Sequence, residues 1–171
     1  MRFSRDCYRA HDPRWAFSPL SGAGAAIHGG RFNAKGTPAL YLSLSIEGAV
    51  AEAAQAFAAK LEPLTICLYE VDCEAILDLT DARVRAEAGV AAEDMGCAWA
   101  LDRAAGRVPP SWTIARRLMA EGVTGIVVPS YARHAPKGAA NLVLWTWGAN
   151  LPCRVTVHDP SGRLPKDQLS W

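Results

Sequence analysis

Residues 28–57 constrain the fold of this chain more than any other stretch, because three kinds of segment follow one another there without a break. Residues 29–36 form a turn flanked by glycines, and this turn carries one arginine, Arg31. Residues 39–44 have leucine at every second position, which is typical of a strand with one buried face. A helix is then predicted to run from a Ser45 cap to about Lys60. The stretch therefore predicts a loop, a strand and a helix in direct succession.

The predicted helix has one hydrophobic face. A spacing of 3.6 residues per turn places six residues on that face, namely Ile46, Val50, Ala53, Ala54, Phe57 and Leu61. Glu52 is expected to point away from this face among small residues, which leave room for another group to approach its carboxylate. The alternative is that Glu52 is a surface acid, or that it forms a structural ion pair with Arg31.

Length and charge exclude several classes of protein. A chain of 171 residues is close to the size of one domain, and we expect residues 1–171 to form one, with residues 159–171 as a tail. Eighteen basic and 17 acidic residues give a net charge of +1, and no basic run suggests direct nucleic-acid binding. No apolar run is long enough to span a membrane, and the polar N-terminus is unlike a secretory signal.

The cysteines and histidines do not have the spacing of a metal site. The five cysteines lie at positions 7, 67, 73, 97 and 153, with no C-x-x-C pair, so neither a disulfide framework nor a zinc site is predicted. Such cysteine usage fits a reducing cytoplasm. The histidines at positions 11, 28, 134 and 158 are also far apart, so we expect no metal.

The remaining pattern predicts an α+β domain with strands at both ends and helices between them. Further strands are predicted over residues 2–10, 64–71, 125–128, 141–147 and 154–158. Loops are predicted over residues 11–30 and 131–140, short helices over 79–105, and a helix over 112–121 that Ser111 caps. Trp145 and Trp147 share one face of their strand, which favours packing in the core.

Several motifs resemble those of one known family. They are Tyr8-Arg9, the block GGRFNAKGTP at residues 29–38, LYLS at 40–43, AVAE at 49–52 and VPS at 128–130. In order and spacing they resemble the RES domain over residues 2–145. Phe32 stands where this family usually has tryptophan. Asn141 matches the first asparagine of a later family motif, whose second asparagine is absent here.

The resemblance implies a fold and a function. RES domains are toxins of bacterial toxin–antitoxin pairs, and their protein partner is an Xre-like antitoxin. Their fold resembles that of bacterial ADP-ribosyltransferase toxins, so it implies a mixed, split β-sheet. They consume NAD+ as a substrate and pass ADP-ribose to water, phosphate or a protein acceptor, which arrests growth. The resemblance therefore implies a cytoplasmic enzyme with NAD+ as its substrate.

Glu52, Arg31 and Tyr41 are the expected catalytic residues. Cleavage of the nicotinamide–ribose bond develops positive charge on the ribose, and a carboxylate such as that of Glu52 stabilises this charge. The pyrophosphate of NAD+ is suited to guanidinium groups, which Arg31 and Arg9 offer. Tyr41 can stack on the nicotinamide or form a hydrogen bond beside it.

Two further residues are expected to contact NAD+. Ser130 follows a predicted strand and can position a ribose hydroxyl or the nicotinamide amide. Asn141 is included because it matches the family motif.

Two alternatives belong to other classes. The chain could be a non-catalytic domain that binds a nucleotide or another anion through Arg9 and Arg31. However, such a domain gains nothing from a carboxylate beside its ligand. It could also be an RNA-cleaving toxin with Glu52 as the base, although no suitably placed histidine or basic tract supports that reading.

Overall fold

A seven-stranded mixed sheet organises the chain in a computed structural model that describes residues 1–54 and 62–169. The strands are β1 (Phe3–His11), β2 (Leu40–Ser43), β3 (Thr65–Cys73), β4 (Ile76–Asp78), β5 (Gly125–Pro129), β6 (Ala140–Leu144) and β7 (Cys153–Val157). Their order in the sheet is β4-β5-β6-β2-β1-β3-β7, with β4 and β5 parallel and the other pairs antiparallel. The predicted α+β class with a mixed sheet is confirmed.

The helices lie between the strands in sequence. They are α1 (Ala23–His28), α2 (Ile46–Ala54), α3 (Ala82–Glu87), α4 (Ala92–Met95), α5 (Trp99–Ala104) and α6 (Pro110–Ala120), and a 3-10 turn covers Pro13–Trp15. None of the helices in the described part of the chain is long and apolar enough to cross a membrane.

The sheet is nearly split between β1 and β2. All nine residues of β1 pair with β3, whereas its register with β2 consists of one pair in the described residues, Tyr8 opposite Ser43. Since backbone pairing holds neighbouring strands together, the two halves of the sheet meet at essentially one point. The space beside this point is where the candidate site lies.

The predicted hydrophobic face of α2 is wrong. Ile46 is exposed, and the buried residues of the helix are Gly48, Ala49 and Ala51. The helix lies so close to the sheet that a Cβ on Gly48 would be 3.4 Å from the Cβ of Ser43, so only small side chains fit between them. The Ser45 cap is confirmed, because its Oγ accepts a hydrogen bond from the Gly48 amide at 3.0 Å.

The orientation of α2 differs from the predicted one, and the surroundings of Glu52 therefore differ as well. The face of small residues that was expected to leave Glu52 accessible packs on the sheet instead, and Glu52 is half-buried beside it. The predicted continuation of the helix to Lys60, with Phe57 and Leu61 on its face, lies outside the described residues.

Four other expectations need correction. Residues 11–30 contain α1 and a 3-10 turn as well as loop, and strand β4 was not predicted. The strand predicted over 141–147 ends at Leu144, although Trp145 is buried as expected. The α6 helix begins at Pro110 rather than after a Ser111 cap, because proline suits the first turn of a helix.

The prediction of no disulfide is also wrong. Cys73 on β3 lies opposite Cys153 on β7, and the two are joined in a disulfide across a sequence separation of 80 residues. The pairing depends on strand register, so the spacing of cysteines along the chain gave no sign of it. The other three cysteines are free, and burial raises the pKa of the Cys7 thiol to about 12.

Candidate functional site

A cleft of about 670 Å³ opens where the two halves of the sheet separate. Its lining includes five residues that the sequence had indicated in five separate segments, Arg9, Arg31, Tyr41, Glu52 and Asn141. A smaller cavity of about 250 Å³ between β1, β2 and α2 adjoins it and shares four of these five residues, Arg31 being the exception. The fold therefore brings the predicted residues together in a space large enough for a small-molecule ligand.

Side chains from two neighbouring strands hold the Glu52 carboxylate. Ser130 Oγ donates a hydrogen bond to Glu52 Oε1 at 2.6 Å, and Asn141 Nδ2 donates to the same oxygen at 2.5 Å. Asn141 is itself fixed, because its Oδ1 accepts a hydrogen bond from Ser43 Oγ at 2.8 Å. The sequence analysis gave Ser130 and Asn141 as NAD+ contacts, and the structure adds that both orient Glu52.

Arg31 is held by the main chain and by an aromatic ring. Its Nη1 donates to the carbonyl oxygens of Met95 at 3.2 Å and Cys97 at 2.6 Å. Its Cζ lies 4.3 Å from the centre of the Tyr131 ring, within the range of a cation–π interaction. Among the described residues Arg31 forms no ion pair, so the alternative of a structural Arg31–Glu52 pair is wrong.

The backbone of the Arg31 loop is fixed by side chains that are distant in sequence. The three successive carbonyl oxygens of residues 30–32 accept hydrogen bonds from Trp112 Nε1 at 2.7 Å, Ser111 Oγ at 2.6 Å and Trp145 Nε1 at 2.9 Å, respectively. Main-chain carbonyls in a loop need partners when they are removed from water. Ser111 and Trp112, the second and third residues of α6, thus position the loop.

Tyr41 and Asn33 complete the support of this loop. Tyr41 Oη donates to Asn33 Oδ1 at 2.7 Å and accepts from the Phe32 amide at 3.0 Å. Asn33 is fully buried, and its Nδ2 lies within hydrogen-bond distance of the Ala25 carbonyl in α1 and of the Ala34 and Thr37 carbonyls in the turn. Burial raises the pKa of Tyr41, so the phenol is neutral at physiological pH. Its hydroxyl therefore holds the loop, whereas its ring lines the cleft.

Arg9 lies on the opposite side of the cleft in a buried polar network. Its Nη1 lies 3.5 Å from the Pro19 carbonyl oxygen and 3.4 Å from that of Ser21, both long for hydrogen bonds. The Tyr69 hydroxyl donates to Pro19 O at 2.9 Å and accepts from His11 Nε2 at 2.6 Å. Burial lowers the pKa of Arg9, and no carboxylate of the described residues forms an ion pair with it.

The sequence analysis missed the residues that support the site. Tyr131, Trp112 and Ser111 carry no motif that would have marked them, since each acts through a contact between distant segments. Asn33 was inside the quoted glycine-rich block, but nothing indicated that it is buried. Within residues 1–54 and 62–169, no group of three or more histidine, cysteine or acidic side chains could hold a metal ion.

Comparisons with known proteins confirm the family that the sequence motifs resemble. A family model described as the RES domain matches residues 6–167 of the chain. Among solved structures, a chain of the M. tuberculosis MbcT–MbcA toxin–antitoxin complex has a similar fold, with a TM-score of 0.57 and 23% sequence identity. The match covers 94% of this chain and 87% of that one. No curated protein sequence matches the chain.

Proposed function

Because the chain belongs to the RES domain family, we propose that it is the toxin of a bacterial toxin–antitoxin system and that it cleaves the nicotinamide–ribose bond of NAD+. ADP-ribose is then transferred to a protein acceptor, phosphate or water, and growth stops. The similar fold of a chain in the MbcT–MbcA toxin–antitoxin complex supports the class of system.

The observation that carries this proposal is the arrangement around the cleft. Arg31 and Glu52 line the same cavity, and each is held by side chains or carbonyls from other segments of the chain. A fixed cation and a fixed carboxylate beside one cavity suit a substrate with an anionic group and a developing positive charge. NAD+ has both, in its pyrophosphate and in the ribose attached to nicotinamide.

The chemical role of Glu52 follows from the electron balance of the reaction. When the carbon–nitrogen bond breaks, its electron pair goes to the pyridinium nitrogen, and neutral nicotinamide leaves. The positive charge moves to the ribose, where a preorganised carboxylate stabilises it. The acceptor's oxygen or other nucleophilic atom then bonds to the ribose carbon. Ser130 and Asn141 keep the carboxylate oriented throughout.

The two arginines bind the pyrophosphate in this proposal. Arg31 has its Nη1 and one face occupied by the protein, and its remaining N–H groups can donate to phosphate oxygens. Arg9 is a half-buried cation without an acidic partner among the described residues, and an anionic ligand offsets the cost of its partial burial. The Tyr41 ring can stack on the nicotinamide.

The proposed partner is an Xre-like antitoxin in the cytoplasm. A chain end of that antitoxin would enter the cleft between the Arg31 loop and α2, and so exclude NAD+. Expression of the chain alone should stop bacterial growth, and co-expression of the antitoxin should restore it. Normal growth with abundant folded protein would argue against a toxin.

The enzyme proposal is tested by incubating the protein with NAD+ and following nicotinamide release by mass spectrometry, with and without phosphate and cell lysate. Glu52→Gln should lower kcat about 10²- to 10³-fold and leave NAD+ affinity nearly unchanged, because the charge acts mainly in the transition state. Glutamine keeps an oxygen that can accept from Ser130 and Asn141, so the fold should persist.

The outcomes separate the alternatives. Binding of NAD+ without nicotinamide release would favour a non-catalytic nucleotide-binding domain. Unchanged turnover in folded Glu52→Gln would remove Glu52 from the catalytic assignment. Unfolding of that variant would mean that the carboxylate is mainly structural.

A further inference from the structure

One short segment contacts both charged residues of the site. Ser130 Oγ donates to Glu52, and the next residue, Tyr131, places its ring against the guanidinium of Arg31. The segment is itself anchored, because the Ser130 amide donates to the Ala139 carbonyl at 2.8 Å. The Ala132 amide also donates to Ser130 Oγ at 3.2 Å. The turn after β5 therefore contacts both residues that a ligand in the cleft would meet, Arg31 and Glu52.

The surroundings of Arg31 leave it little freedom. The ring of Tyr131 covers the guanidinium, whose Cζ lies 4.3 Å from the ring centre. The carbonyls of Met95 and Cys97 hold Nη1. The intervening Gly96 lies beside the ring, since a Cβ on it would be in ordinary contact with Tyr131 at 3.5 Å. Among the described residues, no acceptor takes the protons of Nε or Nη2 of Arg31.

Tyr131 is suited to this contact in its neutral form. Burial raises the pKa of its phenol, against the opposing effect of the Arg31 charge. The ring is therefore uncharged at physiological pH, and its negative face attracts the cation. Within residues 1–54 and 62–169 no hydrogen bond involves the Tyr131 hydroxyl, which separates the contribution of the ring from that of the oxygen.

We propose that Tyr131 is a positioning residue for Arg31, which holds the guanidinium in the orientation that binds the NAD+ pyrophosphate. This inference rests on the proposed function. Adjacent residues then have different kinetic roles: Tyr131 acts on substrate binding through Arg31, and Ser130 acts on turnover through Glu52.

The first measurement determines whether each substitution changes KM or kcat for NAD+. Tyr131→Leu should raise KM for NAD+ about 2- to 30-fold with kcat little changed, which corresponds to the usual range of a cation–π interaction. Tyr131→Phe keeps the ring and should recover most of the affinity. Ser130→Ala should show the opposite division, with a lower kcat and a nearly unchanged KM. Trp15→Leu, which removes an exposed aromatic ring outside the cleft, is the control.

The second measurement does not require NAD+. In nuclear magnetic resonance spectra, the Arg31 side-chain protons should be shifted upfield by the Tyr131 ring. This shift should be lost in Tyr131→Leu and kept in Tyr131→Phe and Trp15→Leu. If Tyr131→Leu does not fold, Tyr131→Met removes the ring with a more adaptable apolar side chain.

The results decide the proposal in either direction. It is supported if loss of the ring shift and a higher KM occur together in Tyr131→Leu and are both restored in Tyr131→Phe. It is overturned if the Arg31 signals are unchanged, if KM is unchanged despite the lost shift, or if Tyr131→Phe binds as weakly as Tyr131→Leu. If the parent protein releases no nicotinamide, the proposed function fails, and the spectra alone still decide whether Tyr131 positions Arg31.

Discussion

The two arginines of the cleft are held in similar ways but with different strength. Each donates through Nη1 to two main-chain carbonyls, at 2.6 and 3.2 Å for Arg31 and at 3.4 and 3.5 Å for Arg9. Arg31 also has the Tyr131 ring against its face, whereas Arg9 lies beside the Tyr69–His11 network. Only the contacts of Arg31 are in the range of good hydrogen bonds.

This difference indicates different tasks for the two regions. The Arg31 region is preorganised: its loop backbone is fixed by three donors, and its guanidinium is oriented before any ligand binds. The Arg9 region holds a half-buried cation with weak compensation, which costs stability unless an anion is present. We expect Arg31 to stabilise both the protein and the complex, and Arg9 to stabilise the complex at the expense of the free protein.

Within the comparison of the two arginine regions, the largest expected effect is that of Arg31→Ala. A hydrogen bond to a charged group contributes about 1.5–3 kcal/mol, so NAD+ affinity should fall about 10- to 150-fold, with kcat much less affected. The free protein should also become less stable, because two carbonyls lose their donor. Isothermal calorimetry and thermal unfolding measure both effects. A stability equal to that of the parent would contradict the preorganised role of this region.

The next effect is a dependence of stability on pH, which comes from His11 in the Arg9 region. Burial, with a smaller contribution from the charge of Arg9, lowers the pKa of His11 to about 4 from an ordinary value near 6.5. Below pH 6.5 the unfolded chain takes up a proton that the folded protein does not, so stability falls with pH until about pH 4. The free energy of unfolding should drop by about 2 kcal/mol between pH 7.5 and pH 5 and be flat above pH 6.5.

Denaturant unfolding at a series of pH values measures this dependence. His11→Gln is the matched control, since its amide can still donate to the Tyr69 hydroxyl but does not titrate in this range. Depressed carboxyl pKa values, such as that of Asp72 beside Arg2, affect stability only at lower pH. An equal slope above pH 5 in His11→Gln would show that another group is responsible.

A smaller effect should come from Gly30 in the Arg31 region. An added Cβ would lie 2.6 Å from both Asn33 Oδ1 and Tyr41 Oη, so their hydrogen bond must move. Gly30→Ala should therefore lower the free energy of unfolding by about 1–2 kcal/mol and weaken NAD+ binding. Gly148→Ala is the control, because no atom lies within 4 Å of its added Cβ. If Gly30→Ala and Gly148→Ala have the same free energy of unfolding, the loop is more adaptable than the structure indicates.

The comparison also explains what the sequence could and could not predict. Arg31, Tyr41 and Glu52 lie close together in sequence, in a motif block that marked them and in elements with clear patterns. The supports of Arg31 come from α6, the segment around Met95 and the turn after β5, and no local pattern joins these segments. Burial on α2 was misassigned because the sequence analysis ranked residues by hydrophobicity, whereas the close approach of the helix to the sheet selects for small residues.

The smallest expected effect has opposite signs for stability and binding, and it tests the Arg9 region directly. Arg9→Met removes a half-buried cation and two weak hydrogen bonds while filling much of the same volume, so the free protein should gain about 1 kcal/mol, or about 2–4 °C in Tm. The same change removes one attraction for the pyrophosphate, and NAD+ affinity should fall about tenfold. Because the Arg9 charge contributes to the low pKa of His11, the loss of stability between pH 6.5 and pH 5 should also become smaller. Thermal unfolding, calorimetry with NAD+ and the pH series on one variant measure all three effects. A loss of stability like that expected for Arg31→Ala would mean that the two arginines are held alike after all, and that the long contacts of Arg9 support the fold.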